Sequence, residues 1–154
     1  MEFATLCYVR HQGKTLMLYR NKKENDMHEG KWNGLGGRME PGESPEDCVI
    51  REVYEESGLV IKDPYLKGFL TFPAFGKNED WYVFVYTANN FDGRIMNSSP
   101  EGKLKWIPDS EIFNLNLWPS DAYFLNWVND NRFFSAKFIY DDYGELVDHI
   151  VNFY

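Results

Sequence analysis

The chain is short of positive charge. Its 154 residues hold 16 Lys and Arg against 24 Asp and Glu, a net charge of −8 with a pI near 4.9. A nucleic acid polymer wants a basic surface, so that partner is excluded. A single nucleotide is not, because metal ions can carry its phosphates. Cysteine is scarce as well. Cys7 and Cys48 each sit in a stretch that reads as packed, and the pair reads as reduced core thiols. No apolar run is long enough to span a membrane, and Met1 to Val9 lacks the basic start of a secretion signal. A soluble cytoplasmic protein with no membrane partner is the expectation. Internal repeats, low-complexity segments and linkers are missing too, so one domain over residues 1–154 is expected. Apolar residues, by contrast, make up 44% of the chain and aromatics 18%, enough for a sizeable core.

One stretch organises the rest: Gly37 to Leu59, GRMEPGESPEDCVIREVYEESGL. Ser44 suits a helix N-cap, Pro45 the first helical position and Asp47 the capping-box position. Gly58 stands where a left-handed residue ends the helix. A loop from Gly36 to Glu43 therefore feeds a helix of about three turns. Cys48, Val49, Val53 and Leu59 give it an apolar side. Glu52, Glu55 and Glu56, at i, i+3 and i+4, give it an acidic one. Like charges at that spacing repel, and they lie toward the end where the helix dipole disfavours anions. A divalent cation resolves the conflict, since Mg²⁺ takes carboxylate oxygens and keeps several waters. The plain alternative is a solvated acidic face.

In chain order, Phe3 to Val9 and Thr15 to Arg20 read as a hairpin. Arg20, Lys22 and Lys23 flank a polar loop, either solvated or reaching a phosphate. Lys31 to Leu35 reads as a short strand, after which Gly34, Gly36 and Gly37 allow close backbone approach and offer the Gly36 carbonyl as an oxygen ligand. Val60 to Asp63 leads out of the helix. Tyr65 to Phe72 and Trp81 to Thr87 read as strands around a loop, and Asn89 to Ser99 as turns. Lys103 to Ile107 is a short strand, with Asp109 set to cap a helical turn from Ser110 to Phe113. Trp118 to Asp121 opens a helix running to about Asn129, with an aromatic face of Tyr123, Phe124 and Trp127. Phe134 to Tyr140 and Leu146 to Phe153 close the chain as strands. The class is α/β with a mixed sheet.

Gly37, Glu43, Arg51, Glu52, Val53, Glu55, Glu56, Gly58 and Leu59 match the Nudix box at every defined position. The chain also resembles one branch of that superfamily, the MutT-like 8-oxo-dGTP diphosphatases. Gly30 to Gly37 looks like the segment that leads into the box, Trp118 to Phe124 like the base-pocket segment, and Phe133 to the closing strand like the C-terminal hairpin.

The resemblance implies an α/β/α sandwich around a mixed sheet. It implies an enzyme that cleaves a purine nucleoside triphosphate, 8-oxo-dGTP foremost, to the monophosphate and pyrophosphate, in nucleotide-pool sanitation that serves DNA repair. It implies Mg²⁺, or Mn²⁺, held by Glu52 and Glu56 with Glu55 alongside, the Gly36 carbonyl contributing and Glu101 approaching as ligand or base. Arg51 would hold a box glutamate, and Glu43 would tie the loop to the helix. For the base, Asn33 and Asp121 are the matching polar residues, Trp118 would stack, Phe72 and Met27 would line the pocket, and Lys23 would meet phosphate. One position departs: relatives carry two adjacent aspartates after Trp-Pro, and here the first is Ser120, which also suits a helix N-cap. Alternatives are another nucleoside diphosphate derivative such as ADP-ribose, a pterin triphosphate, or a nucleotide-binding module without catalysis. The oligomeric state, monomer or homodimer, is left open.

Overall fold

The computed structural model describes residues 1–22, 28–76, 78–97 and 99–154. Ten strands, two α-helices and a 3₁₀ turn follow along these segments. They are β1 (Glu2–His11), β2 (Lys14–Arg20), β3 (Trp32–Asn33), α1 (Pro45–Ser57), β4 (Val60–Lys62), β5 (Tyr65–Phe75), β6 (Glu79–Ala88), β7 (Asn90–Asp92), β8 (Gly102–Pro108), the 3₁₀ turn (Asp109–Asn114), α2 (Pro119–Trp127), β9 (Phe134–Tyr140) and β10 (Leu146–Phe153).

The main sheet runs β10-β9-β5-β6-β1-β2-β3, with β8 also paired to β2. The β1–β6 and β5–β9 pairs are parallel and the others antiparallel, so the sheet is mixed. Alternation along β1 sends Cys7 and Val9 to one face and Tyr8 to the other. The first face packs on α1 through Val49 and Val53, and on Leu59 just beyond it. The second packs on α2 through Phe124 and Leu125. The expected α/β/α sandwich results, with a core on each side of the sheet.

The hairpin of β1 and β2 is short. The strands pair only at Arg10 with Thr15 and His11 with Lys14, and then diverge. The segment after β3 pairs with β1 along the part that β2 leaves. Cys7 and Leu35 exchange backbone bonds of 2.6 and 3.0 Å, Thr5 donates to the Gly37 carbonyl at 2.9 Å, and Met39 donates to Phe3 at 2.8 Å. The glycine loop is thereby stitched into the sheet.

α1 has the expected bounds. Ser44 Oγ accepts from the Asp47 amide at 3.0 Å, the Asp47 carboxylate accepts from the Ser44 amide at 3.1 Å, and Gly58 closes the helix at φ 85°. Elsewhere the structure corrects the sequence. Residues 60–62 and 90–92, expected as connections, pair as β4 and β7. Asp109 caps nothing: it lies inside its turn, and its carboxylate accepts from the Thr15 hydroxyl at 2.8 Å. Ser120 is not the cap of α2 either. That position belongs to Trp118, while Ser120 is buried in the first turn. α2 ends at Trp127, and its expected aromatic face is divided, with Phe124 buried and Tyr123 exposed.

Candidate active site

The acidic face of α1 is organised by one cation. The Arg51 guanidinium donates from Nε and Nη2 to both oxygens of Glu43, at 2.7 and 2.8 Å. Its Nη1 donates to Glu52 at 2.7 Å and to Glu55 at 3.3 Å, and Nη2 also reaches the Arg38 carbonyl at 3.1 Å. Fork geometry lets a single Arg serve several carboxylates, which a Lys cannot do. The repulsion expected between the box glutamates is thus partly relieved from within the chain. Arg51, helped by the Glu40 amide, holds the Glu43 carboxyl down at about 2. These bonds tie the loop to the helix and hold Glu52 against Arg51.

Glu56 behaves differently. It is 5% exposed and accepts from the Gly36 amide at 2.7 Å. Burial pushes its carboxyl up to about 8; the Gly36 bond and Arg20 oppose this, while Glu52 and Glu101 add to it. Burial also raises Glu52, against the pull of Arg51. Arg20, considered as a phosphate contact, instead pairs with Glu101 at 3.3 Å. Lys22 donates to the Ser99 carbonyl at 2.8 Å. The loop comes close enough for this cluster only because it lacks side chains. A Cβ on Gly36, whose φ is +153°, would stand 2.0 Å from the Thr5 carbonyl oxygen, and one on Gly37 would stand 2.5 Å from the Glu52 carboxyl carbon.

An aromatic group forms the other end of the site. The Trp118 ring meets Phe75, Tyr140 and His28 edge to face, with centroids 5.3, 5.6 and 5.6 Å away. A cavity of about 260 Å³ opens beside it, lined by Phe75, Tyr140, Asn78 and Asp141 among others, and its lining includes none of the box glutamates. Phe72 stacks on Phe138 at 5.9 Å and tilts toward Tyr140. Asp121 is 6% exposed. Burial raises its carboxyl to about 7, opposed by Ser120 and Lys31. Ser120 Oγ donates to Asp121 at 3.2 Å and accepts from the Tyr140 hydroxyl at 2.8 Å. The Tyr8 hydroxyl and Asn33 Nδ2 are buried with no hydrogen-bond partner among the described residues. An unmet buried donor is costly, so such atoms point to a ligand group.

The structure therefore gathers Arg51, Glu52, Glu55, Glu56, Glu101 and Gly36 at one end, and sets Trp118, Asp121 and Phe72 among the aromatic and buried polar groups of the other. Asn33 lies on β3, three residues before Gly36, so at most about 10 Å of chain joins it to the glycine whose amide meets Glu56. Lys23 and Met27 lie outside the described residues. Tyr8, Tyr140 and His28 were not singled out from the sequence. For Tyr8 a signal existed: a phenol inside an apolar strand needs a partner for its hydroxyl.

A family profile for the NUDIX domain matches residues 2–128. The uncharacterized Nudix hydrolase YvcI of Bacillus subtilis is 32% identical over 153 residues, covering 97% of this chain and 93% of its own. The chain belongs to the Nudix family. Another relative in sequence is the mouse oxidized purine nucleoside triphosphate hydrolase, 29% identical over 127 residues, or 82% of this chain and 81% of that protein. Among solved structures, the mutator MutT protein of Bacillus halodurans superposes with a TM-score of 0.88 at 29% identity, covering 99% of this chain and 98% of the other.

This Nudix hydrolase is of a kind that generally uses divalent metal ions. Among the described residues no three His, Cys, Asp or Glu side chains converge into a metal cluster. Glu52 and Glu55 turn to Arg51 and Glu56 to the Gly36 amide. The donor set nevertheless fits a hard cation. It consists of oxygen ligands only, and two of the carboxyls, Glu52 and Glu56, are pushed up by burial and by neighbouring carboxylates, a conflict that a bound cation removes.

Proposed function

We propose that the chain is one Nudix domain that hydrolyses an oxidised purine nucleoside triphosphate, 8-oxo-dGTP foremost, to the nucleoside monophosphate and pyrophosphate. The observation that carries this reading is a set of three buried polar groups: the Tyr8 hydroxyl and Asn33 amide, both without a partner among the described residues, and the Asp121 carboxyl. An amide and a carboxyl near neutrality offer donors and acceptors to a purine edge, and Trp118 offers a face. The names of two relatives, oxidized purine nucleoside triphosphate hydrolases of mouse and zebrafish, support the same substrate class.

Glu52, Glu56 and the Gly36 carbonyl would hold Mg²⁺, or Mn²⁺ in its place, with Glu55 and Glu101 beside them. The bound cation would neutralise phosphate oxygens and acidify water. Arg51 keeps Glu52 and Glu55 in register through its bonds to both. Water attacks the β-phosphorus, the bond to the oxygen bridging toward the α-phosphorus breaks, and the monophosphate leaves with that oxygen. Glu55, Glu56 or Glu101 takes the proton of the water. Gln at each position in turn identifies the base as the one whose loss lowers kcat about 10²- to 10⁴-fold. In the cell the activity would clear damaged nucleotides from the cytoplasm before polymerases use them.

The deciding experiment compares kcat/KM for 8-oxo-dGTP, dGTP, dATP and ADP-ribose, with Mg²⁺ and with EDTA. The expected result is a marked preference for 8-oxo-dGTP that EDTA abolishes. Metal-dependent hydrolysis without that preference would overturn the substrate and keep the hydrolase.

A further inference from the structure

Trp118 is held by a contact that the reaction does not use. Its Nε1–H donates to His28 Nδ1 at 2.7 Å, with the rings edge to face at 82°. An imidazole that accepts at Nδ1 carries its proton on Nε2. His28 opens a turn closed by the Lys31 amide on its carbonyl at 2.9 Å. That turn is cross-linked a second time to the segment before α2. Asn116 Nδ2 donates to the Gly30 carbonyl at 2.8 Å, and the Asn116 carbonyl accepts from the Trp32 amide at 3.0 Å. The Lys31 ammonium lies 5.3 Å over the indole and reaches the Asn116 side chain at 3.4 Å. The next residue after Trp32 is Asn33, fixed on β3 opposite Leu18. Residues 28–33 and 116–118 thus make one unit that bears both the indole and the unpartnered Asn33 amide.

We propose that His28 is a positioning residue for base recognition: by holding the Trp118 indole N–H it fixes the plane of that ring relative to Asn33, so that the face and the edge of a purine are met at a set spacing. The inference rests on Trp118 as the stacking ring. α2 has no side-chain cap bond at Trp118 that would hold the ring otherwise. Besides the Lys31 ammonium over its face, the other aromatic rings that meet it, Phe75 and Tyr140, do so edge-on, and none of the three bonds its N–H. Without the latch a bound base must order the indole itself, which takes from the binding free energy. His28 touches no reacting atom, so its loss acts on substrate and transition state alike and appears in KM rather than kcat.

The test uses three variants of the full chain. Asn places a carbonyl oxygen at about the position of Nδ1, and Leu places no acceptor there. His28→Leu is expected to raise KM for 8-oxo-dGTP about five- to tenfold, the worth of one neutral hydrogen bond, with kcat within twofold. His28→Asn is expected to restore most of the loss. Trp118→Phe assigns the indole Nε1–H resonance by its disappearance and tests the stacking itself. In the unsubstituted protein that proton should show a coupling across the hydrogen bond to an imidazole nitrogen, lost in His28→Leu. If Trp118→Phe raises KM while His28→Leu leaves KM and the indole resonance unchanged, the latch is overturned and the stacking stands. If Trp118→Phe has no effect on KM, the stacking reading fails and the inference falls with it. If His28→Leu does not fold, the coupling decides alone: its absence overturns the latch.

Discussion

Arg51 is one guanidinium shared among three carboxylates and a backbone carbonyl. An Arg51→Lys variant keeps the charge and loses the fork. Mg²⁺ affinity or kcat should fall about 10- to 100-fold, as for other residues that orient ligands, and a Mg²⁺ titration of activity checks it. The family resemblance implied that Arg51 holds a box glutamate, and in the fold its Nη1 donates to Glu52. The sequence did not reveal that the same Arg reaches Glu55, since a neighbour one turn away looks the same whether it faces solvent or a partner. Asp121 was picked out from the sequence, but its surroundings were not: its neighbour Ser120 donates to it and is itself held by Tyr140, 20 residues further along the chain. Its carboxyl titrates near 7 in the fold against an ordinary 3.8. Between those values the folded chain keeps a proton that the unfolded chain has released. Stability is therefore full below about pH 3.8 and declines as pH rises to about 7. Asp121→Asn should remove that slope and gain on the order of 4 kcal/mol at pH 8 relative to the unsubstituted chain. Urea unfolding of both proteins from pH 4 to 8 measures it, and parallel slopes would remove burial of this carboxyl as the cause.

α1 was the most legible element. A cap, a proline, a capping box and a closing glycine mark both of its ends within the chain itself, so no tertiary contact had to be guessed. β4 and β7 were illegible for the opposite reason. Three residues each, they exist only because residues 60–62 and 90–92 find one another, and neither carries a pattern of its own. Ser120 shows a third case, in which a residue with good cap chemistry sits two positions inside the helix, bonded to Tyr140, and the cap falls to Trp118. The glycine loop before α1 sits between these extremes: its freedom was legible, and its target, the backbone of Thr5, was not. Gly36→Ala should cost about 3 kcal/mol or more, because a Cβ would stand 2.0 Å from the Thr5 carbonyl oxygen and the backbone has to move. Thermal unfolding checks this. A cost below about 0.5 kcal/mol would mean that the loop yields without loss.

At the scale of the whole molecule, the mixed sheet and its two helical layers followed from the order of elements and from the family resemblance. The divergence of β1 from β2 did not follow, because no residue in either strand signals where pairing stops. That divergence admits residues 35–39 as a partner for β1. It joins the glycine loop to the cooperative unit of the sheet. Loops commonly open on their own, far more often than the cores beneath them. Here the amides of Thr5, Cys7, Leu35 and Met39 are donors in the bonds that join loop and strand. In hydrogen exchange they should be protected within about tenfold of the β6 amides, and they should lose protection with the same denaturant dependence. Exchange of these four at loop-like rates would show the stitching to be superficial. If they behave as core amides, this hydrolase cannot melt its glycine loop to admit a nucleotide without unzipping part of its central sheet. Entry and release must then be governed by motion elsewhere on the rim of the site.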